Sequence, residues 1–384
     1  MAALQQHIPF RPSQRLLETP RRSAEVIVIG AGLSGLQAAI DCHQAGLTCL
    51  VLEAQTYLKS HSSTSTFEPL RLFDGSSYIS FERHPRLWKA VRRSSTNMNG
   101  AEEDAQLQDL IENLDQVDRA SFSRVQSNLE ALCRCVNVNT PSQMLPNYGA
   151  TSVHELVVSH GATERIQSLA DEWTTALFGR ASADVSALDF LLFSKTHGGV
   201  MKALPGSLGV GGDFLMDDDN HHPQLLDTFK AMLPHGTVFP SHQVVKIEQS
   251  TQKCVLTTSL GDTFMATKVI LAMSPHDYQH ISFSPDWSPE KEWIQHLETS
   301  TSDITGASGS GNMCTGFNFT VPSSRLRDLE HDHWQPEEHI HFAGADTSHV
   351  CRGHSEGALA AGTRAAMEVI EALRPIDEVR ISRL

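Results

Sequence analysis

The hydrophobic pattern is most regular near the N-terminus, where strand, helix and strand signals follow one another. Residues 26–29 form an uninterrupted β-branched run, as expected of a parallel strand that is buried on both faces. A helical pattern then runs to about Ala45, where Gly46 supplies a stop, and residues 47–52 form a second apolar run. The pattern therefore predicts a βαβ unit with two parallel strands.

The middle of the chain has apolar residues at helical spacing. Residues 84–93 predict one helix, and leucine and isoleucine recur at helical intervals over 101–135. Further helices are predicted from Thr151 and over 162–177. Residues 96–234 are therefore expected to form a mostly helical lobe.

The pattern changes to strands after residue 237. Three β-rich runs predict a meander with a hairpin turn at 260–262; they are 244–248, 254–259 and 263–269. The predicted order ends with three more elements. They are a separate buried strand that returns to the first sheet (269–272), a further strand (339–343) and a helix rich in small residues (353–373). The strands after the helical lobe are thus expected to belong to the same half of the protein as the first βαβ unit.

The first predicted turn has the spacing of a dinucleotide-binding loop, and it reads Gly30-Ala31-Gly32-Leu33-Ser34-Gly35. Gly30 permits the tight turn, Gly32 lets a pyrophosphate approach the backbone, and Gly35 lets helix and strand pack closely. Glu53 lies 18 residues after Gly35, at the end of the second strand, where it can accept hydrogen bonds from ribose hydroxyls. The alternative is an ordinary βαβ turn that holds no nucleotide.

Composition narrows the class of protein. The 384 residues are enough for two domains, and 40% hydrophobic with 20% charged residues is ordinary for a soluble globular chain. The net charge of -15 argues against nucleic acid or an anionic membrane as main partners. No apolar run approaches the length of a transmembrane helix. Seven scattered cysteines favour reduced thiols in an intracellular protein over a disulfide framework.

The two ends carry different signals. Residues 1–23 contain four arginines and no apolar core, which indicates a disordered lead-in; a weak transit peptide is the alternative. Ser382-Arg383-Leu384 is a conservative variant of the Ser-Lys-Leu peroxisomal address. We therefore expect a peroxisomal protein that an import receptor recognises, with a cytosolic protein and an accidental match as the alternative.

Three stretches together resemble the flavin-dependent monoamine oxidase family, in particular its fungal peroxisomal members. The stretch AEVIVIGAGLSGLQAA…VLEA is similar to the FAD fingerprint of that family. Residues 281–285 resemble its Phe-x-Pro stretch, and HFAGADTSHVCRGHSEGALAAGTRAA looks like its second flavin motif. The resemblance covers most of the chain in order, and it implies FAD as the cofactor with a small-molecule amine and O2 as substrates.

The resemblance also implies which residues contact FAD. The second motif would supply residues for the ribityl and phosphate portion, and the start of the last helix would face the isoalloxazine ring, where a helix N-terminus stabilises negative charge. Close helix packing is the alternative role for that small-residue segment. The implied cofactor-binding residues are Gly30, Ala31, Gly32, Leu33, Ser34, Gly35, Glu53, Ala54, Val244, Gly344, Ala345, Asp346, Glu356, Gly357 and Ala358.

The chain departs from the family pattern where the substrate would lie. His354 occupies the place of a tyrosine that helps to sandwich the amine, and Cys351 replaces a neighbouring tryptophan. These two residues are the candidate catalytic-site residues. The Gly-Gly-Arg that follows the first fingerprint is absent, and the segment that carries the lysine facing flavin N5 is omitted. Cys314 is a candidate for covalent flavin attachment, with a buried small hydrophobe as its alternative; non-covalent FAD is expected.

We therefore expect an α/β fold with a Rossmann-type FAD-binding lobe, made of a parallel sheet plus a β-meander, and a second, mostly helical substrate lobe. The expected boundaries are 24–95, 235–285 and 335–375 for the first lobe, 96–234 and 286–334 for the second, and 376–384 for the tail. The implied reaction oxidises an amine to an imine and an aldehyde while O2 becomes H2O2. A flavin oxidase or dehydrogenase of a specialised metabolite, and a degenerate flavin-binding homologue, are the alternatives.

Two further expectations concern metals and assembly. The pairs His331/His333 and His339/His341 have a spacing that could place two ligands on one strand face, but no third ligand lies nearby in sequence, so no metal is expected. The chain is compatible with a homodimer.

Overall fold

One eight-stranded sheet organises the protein, in the order β10-β7-β8-β9-β1-β2-β6 with β11 paired to β9. A computed structural model describes it over residues 22–56, 78–79, 84–92, 99–100, 111–138, 147–178, 180–203, 214–215, 221–289, 291 and 334–374. Several sequence predictions fall outside these residues: most of the N-terminal lead-in, the segment that follows the first fingerprint, Cys314, His331, His333 and the C-terminal tail.

The predicted βαβ unit is present. Its elements are β1 (Arg22–Ile29), α1 (Leu33–Gln44) and β2 (Cys49–Leu52). The two strands pair in parallel, with Val26 opposite Cys49 and Ile29 opposite Leu52. The β-branched run lies in the centre of the sheet and is buried on both faces, which explains why it shows no alternation of polar residues.

The predicted meander is also present, but its third strand is longer than predicted. The strands are β7 (Val244–Gln249), β8 (Cys254–Thr258) and β9 (Thr263–Leu271). The separate return strand predicted over 269–272 was wrong, because β9 continues without a break from the hairpin into the parallel sheet. No glycine or proline interrupts it. Its first half (263–266) pairs with β8, and residues 264–271 pair with β1.

The described part of residues 96–234 is mostly helical, as predicted. The helices before the meander are α2 (Pro85–Val91), α3 (Gln116–Cys135), α4 (Val153–Ser159), α5 (Glu164–Phe178), α6 (Ala187–Thr196), α7 (Val200–Ala203) and α8 (His221–Ala231). Local capping starts two of them: Asp115 accepts from the first turn of α3, and Ser152 with Glu155 forms a capping box on α4.

The remaining elements are short, apart from the last helix. A small second sheet consists of three two-residue strands, of which only the first lies in a stretch that the sequence predicts as a strand (72–79). They are β3 (Tyr78–Ile79), β4 (Asn99–Gly100) and β5 (Phe214–Leu215). The large sheet is completed by β6 (Val238–Phe239), β10 (Ser282–Ser284) and β11 (Ile340–Phe342). Two 3-10 turns (Pro275–His280 and Ala345–Thr347) precede α9 (Ser355–Leu373), the last helix.

The hydrophobic core lies on both faces of the sheet. Ile27 and Ile29 belong to a cluster that continues into the helical lobe, where it includes Leu169 and Leu191. The alternate residues of β1 face the other side, where Leu36 and Val369 bring α1 and α9 against the sheet. The helical lobe therefore shares a continuous core with the sheet. Among the described helices, none combines the length and apolar character needed to cross a membrane.

Candidate cofactor and substrate site

The glycine turn lies at the carboxyl ends of β1 and β9. It leaves no room for a side chain at Gly30 or Gly35. Gly30 has a positive φ of 102°, and a Cβ on it would lie 2.5 Å from the Ala272 carbonyl oxygen. Its N–H donates to the Leu52 carbonyl at 2.8 Å, which joins the turn to β2. A Cβ on Gly35 would lie only 1.9 Å from the Gly30 carbonyl oxygen. Both glycines are thus required by packing of the turn itself.

Gly32 differs from its two neighbours because the space beside it is open. A Cβ at this position would meet no atom of the protein within 4 Å, and its φ of -71° is accessible to any residue. No side chain caps α1, and the Ser34 hydroxyl is buried without a hydrogen-bond partner in the described part of the chain. An open space with unused donors at a helix N-terminus suits a pyrophosphate. The first motif therefore fits the phosphate portion of FAD.

Glu53 lies at the rim of this turn, where a ribose is expected. Its carboxylate accepts hydrogen bonds from the N–H groups of Ala31 at 2.7 Å and Gln55 at 2.8 Å. These two bonds orient the carboxylate, whose oxygens retain lone pairs for hydroxyl donors. Ala54, also predicted to bind the cofactor, is exposed beside it.

Val244 is connected to the same region through the residues before it. The His242 N–H donates to the Glu53 carbonyl at 2.7 Å, and the Ser241 N–H donates to the Gln55 carbonyl at 2.9 Å. Val244 itself is buried at the start of β7. Val244 thus lies two residues after His242, whose N–H contacts Glu53, the residue predicted to bind the ribose.

The second motif forms a turn next to the first one. A Cβ on Gly344 would lie 3.1 Å from the Met273 carbonyl oxygen, while Gly30 contacts Ala272, the preceding residue. The two glycine turns therefore lie side by side against the segment that follows β9. Within the second turn, the Gly353 N–H donates to the Ala345 carbonyl at 3.2 Å, which brings the start of α9 back to the turn. Asp346 is half-buried in the same turn.

The carboxylate of Glu356 binds another helix. It accepts from the Leu87 N–H at 2.8 Å and from the Arg86 guanidinium at 3.1 Å, and so caps the start of α2. Burial raises the pKa of Glu356, and the Leu87 and Arg86 donors offset only part of that rise. The side chain therefore has a structural role that the sequence motif did not indicate, whereas its N–H remains at the start of α9.

Gly357 also has a packing role. A Cβ there would lie 2.2 Å from the Cys351 carbonyl oxygen, so the loop before α9 rests directly on this glycine. The adjacent Ala358 is half-buried, and its N–H makes a 2.8 Å hydrogen bond to the His354 carbonyl at the start of α9. Close backbone packing thus accounts for part of the small-residue pattern that the sequence associated with the flavin ring.

The two predicted catalytic-site residues lie in the loop between the second turn and α9. Cys351 is buried with a positive φ of 41°, and its N–H donates to the Thr196 carbonyl at 3.0 Å. His354 is the N-cap residue of α9, and its ring centroid lies 4.6 Å from that of His197. His197 in turn stacks on Phe193 at 4.0 Å.

Sequence reasoning missed His197 and Phe193. They belong to the end of α6 and lie more than 150 residues before His354 in the chain. No motif marks them, because their contact depends on how the end of α6 packs against the loop before α9.

A charged network under the second turn was also missed. Arg364, on α9, donates to the Phe342 carbonyl at 2.8 Å and to the Thr347 hydroxyl at 2.9 Å. It also pairs with Glu368, which lies 3.1 Å from the Nδ1 atom of the buried His341. Burial acts to raise the pKa of Glu368, but the His341 hydrogen bond and the Arg364 charge hold it below its usual value. The network joins β11, the second turn and α9.

We expect Arg364→Met to lower the free energy of unfolding by about 2 kcal/mol, because it leaves the half-buried Glu368 carboxylate and the Phe342 carbonyl without the Arg364 donor. FAD content should fall as the second turn loosens. Arg374→Met is the matched control: Arg374 also binds backbone carbonyls but at an exposed site, so its loss should cost less than about 1 kcal/mol. Chemical denaturation of both variants measures the difference. Equal, small losses would show that the network does not hold the turn.

Of the two histidine pairs considered for metal binding, the described residues include only His339 and His341. His341 is buried and engaged with Glu368, and burial lowers its pKa although Glu368 acts to raise it. In the described segments no cluster of three or more histidine, cysteine, aspartate or glutamate side chains could hold a metal ion.

The glycine turn lies at the carboxyl edge of the parallel strands β1, β2 and β9, and Glu53 follows β2. This arrangement defines a dinucleotide-binding protein. Residues 25–67 match a domain family described as an FAD binding domain. In fold, the chain is similar to flavin-dependent amine oxidases. A solved putrescine oxidase triple mutant superimposes with a TM-score of 0.77 at 15% identity, over 92% of this chain and 100% of that chain. Cyclohexylamine oxidase from Brevibacterium oxydans gives a TM-score of 0.72 at 17% identity, over 91% and 99%.

Two sequence relatives agree with this fold. Flavin-containing amine oxidase B of Sus scrofa is 25% identical over 68% of this chain and 52% of its own length. Nicotine dehydrogenase of Pseudomonas putida is 23% identical over 70% of this chain and 57% of its own length. The chain therefore spans little more than half the length of these relatives.

Proposed function

We propose that this protein is an FAD-dependent amine oxidase that converts an amine to an imine, which water hydrolyses to an aldehyde, while O2 is reduced to H2O2. The observation that carries the proposal is the pair of adjacent glycine turns, one of which leaves an open space with unused donors beside Gly32. The amine oxidase fold and the amine-oxidising relatives support the reaction class.

The protein's own residues would bind and orient the cofactor. Bound FAD supplies the acceptor for the two electrons that leave the amine carbon. The N-terminus of α1 would hold the pyrophosphate, and Glu53 would hold the ribose through the oxygens that Ala31 and Gln55 orient. The N-terminus of α9 would stabilise negative charge on the reduced ring. His354 would contact the amine, and Cys351 would hold the loop against α6 through its N–H.

The absorption spectrum of the purified protein, followed by a peroxide assay over a panel of amines, tests this proposal. A yellow protein that bleaches anaerobically with an amine supports the oxidase. A yellow protein that no amine bleaches points instead to a flavin enzyme of another metabolite or to a flavin-binding homologue without activity. A colourless protein that FAD cannot reconstitute would exclude both enzyme functions.

We expect activity on simple arylalkylamines to be low and His354→Tyr to raise it. An imidazole can become cationic near neutral pH and then repels a protonated amine, whereas a phenol attracts it. The expected gain in kcat/KM is roughly tenfold, or about 1.4 kcal/mol. Steady-state kinetics at matched FAD content measures it, with His235→Tyr at an exposed loop position as the control. An unchanged kcat/KM in a variant that retains FAD would remove His354 from the substrate site.

We also propose that Ser382-Arg383-Leu384 directs the protein to peroxisomes. Peroxisomes dispose of the H2O2 that the proposed reaction releases, and the tripeptide offers a small residue, a cation and a leucine to an import receptor. A fluorescent protein fused to the N-terminus should gather in peroxisomes, and deletion of the three residues should make it diffuse. A diffuse full-length fusion, or a truncated one that still gathers, would rule the tripeptide out as the signal.

A further inference from the structure

A small cavity lies inside the helical lobe, between α3, α4, α5, α6 and α7. Its wall is apolar, and the buried side chains of Leu129, Val157, Ala170 and Phe190 form part of it. A water-sized molecule can move through about 20 Å³ of this space. The cavity therefore holds at least one small molecule.

The wall offers a water molecule few hydrogen-bond partners. Thr174 lines the cavity, but its hydroxyl already donates to the Ala170 carbonyl at 2.9 Å. Among the described residues, the buried polar atoms that have no partner all belong to residues outside this wall. A buried water needs two to four polar partners, so a cavity of this kind stays dry and accepts apolar guests.

Three residues of the wall connect the cavity to solvent. Gln126, Trp173 and Met201 line it and are each partly exposed, whereas Val157 and Phe190 are only 2% exposed. Exposed side chains change rotamer within picoseconds to nanoseconds. A small molecule can therefore enter from the side of these three residues.

The α6 wall connects the cavity to the predicted substrate site. Phe190 lines the cavity, and Phe193 follows one turn later on the same face of α6. The Phe193 ring centroid lies 5.9 Å from that of His354, in the loop before α9. Phe178 packs edge-on against both phenylalanines, at 6.4 Å and 5.2 Å. Aromatic rings thus extend from the cavity to the loop where the flavin ring is expected.

We propose that this cavity is a docking site for O2 on its way to the flavin, separate from the site of the amine. The inference rests on the proposed function, in which the two electrons of the amine pass through FAD to O2, and O2 takes up two protons to become H2O2. The amine, the aldehyde, water and H2O2 all carry hydrogen-bonding groups. O2 is the small apolar member of this reaction, and it gains free energy by leaving water for a dry apolar cavity.

Reoxidation of the reduced holoprotein by O2 tests the inference without any amine. The flavin is reduced by light under anaerobic conditions and mixed with O2 in a stopped-flow spectrometer, and the return of its absorbance gives the second-order rate constant. Val157→Ile adds one methylene to the cavity wall and should lower this rate constant by at least about threefold. The methylene fills empty space, so the unfolding midpoint should not fall.

Val158→Ile is the matched control, because Val158 is the next residue of α4 and is 44% exposed. It adds the same methylene outside the cavity and should leave the rate constant unchanged. Ala170→Val fills the cavity from α5 and takes the place of Val157→Ile should the latter not fold.

Quenching of Trp173 fluorescence by O2 gives a second measurement that does not depend on the flavin reaction. Trp173 lines the cavity, and comparison with Trp173→Phe isolates its emission from that of the other tryptophans. Val157→Ile should weaken this quenching, and Val158→Ile should not.

An unchanged rate constant in Val157→Ile, or an equal decrease in Val158→Ile, would overturn the inference. A reduced flavin that O2 does not reoxidise would overturn it as well. Slower reoxidation in Val157→Ile alone, in a protein that oxidises no amine, would contradict only the proposed function. An active amine oxidase with equal rate constants in all variants would contradict only the O2 site.

Discussion

Gly32→Leu is expected to abolish FAD retention while the protein remains folded. The position has an ordinary φ and no protein atom within 4 Å of a Cβ, so the fold accepts a side chain there. The pyrophosphate would need that same space. We expect FAD per chain to fall by at least about tenfold, which corresponds to about 1.4 kcal/mol of binding free energy or more.

Absorbance of the purified variant and of the reconstituted apoprotein measures this loss. Thermal unfolding of the Gly32→Leu apoprotein supplies the control. Its free energy of unfolding should differ from that of the unchanged apoprotein by no more than about 1 kcal/mol, the usual effect of an N-cap substitution. Undiminished FAD in a folded Gly32→Leu protein would show that the pyrophosphate binds elsewhere.

Gly35→Ala is expected to destabilise the protein strongly although it adds only one methyl group. The new Cβ would lie 1.9 Å from the Gly30 carbonyl oxygen and 3.1 Å from the Ala272 side chain, so the turn must move away from β9. Overpacking against backbone costs on the order of 3 kcal/mol, and for a chain of 384 residues that lowers the unfolding midpoint by roughly 4 °C.

Gly32→Ala is the matched control for this substitution. It makes the same chemical change three residues earlier in the same motif, where no clash arises, and should cost less than about 1 kcal/mol. Differential scanning calorimetry of the two apoproteins compares them directly. Similar midpoints would show that the turn relaxes at little cost and that the spacing of Gly35 is not set by packing. The pair thus separates a glycine that the ligand requires from one that the fold requires.

Local patterns determined the elements of the sheet and their sequence order. The run at 26–29 has no polar residue because both faces of the central strand are covered, so sequence alone indicated a buried parallel strand. Gly30 and Gly35 likewise follow from the local geometry of one turn. The β-rich runs and the turn at 260–262 also predicted the hairpin between β8 and β9. They could not show that β9 continues into the parallel sheet, because a strand carries no mark where its partner changes.

Sequence by itself therefore determined the fold class, the FAD fingerprint and the expectation of an altered substrate site at His354. Only the tertiary structure decided what surrounds that site. It brought His197 against His354, and it assigned the Glu356 carboxylate to the start of α2. Each of these contacts joins residues that are more than 150 positions apart. Such pairings depend on how α6 and α2 pack around the start of α9, and that packing follows from burial of whole helix faces, which no short motif encodes.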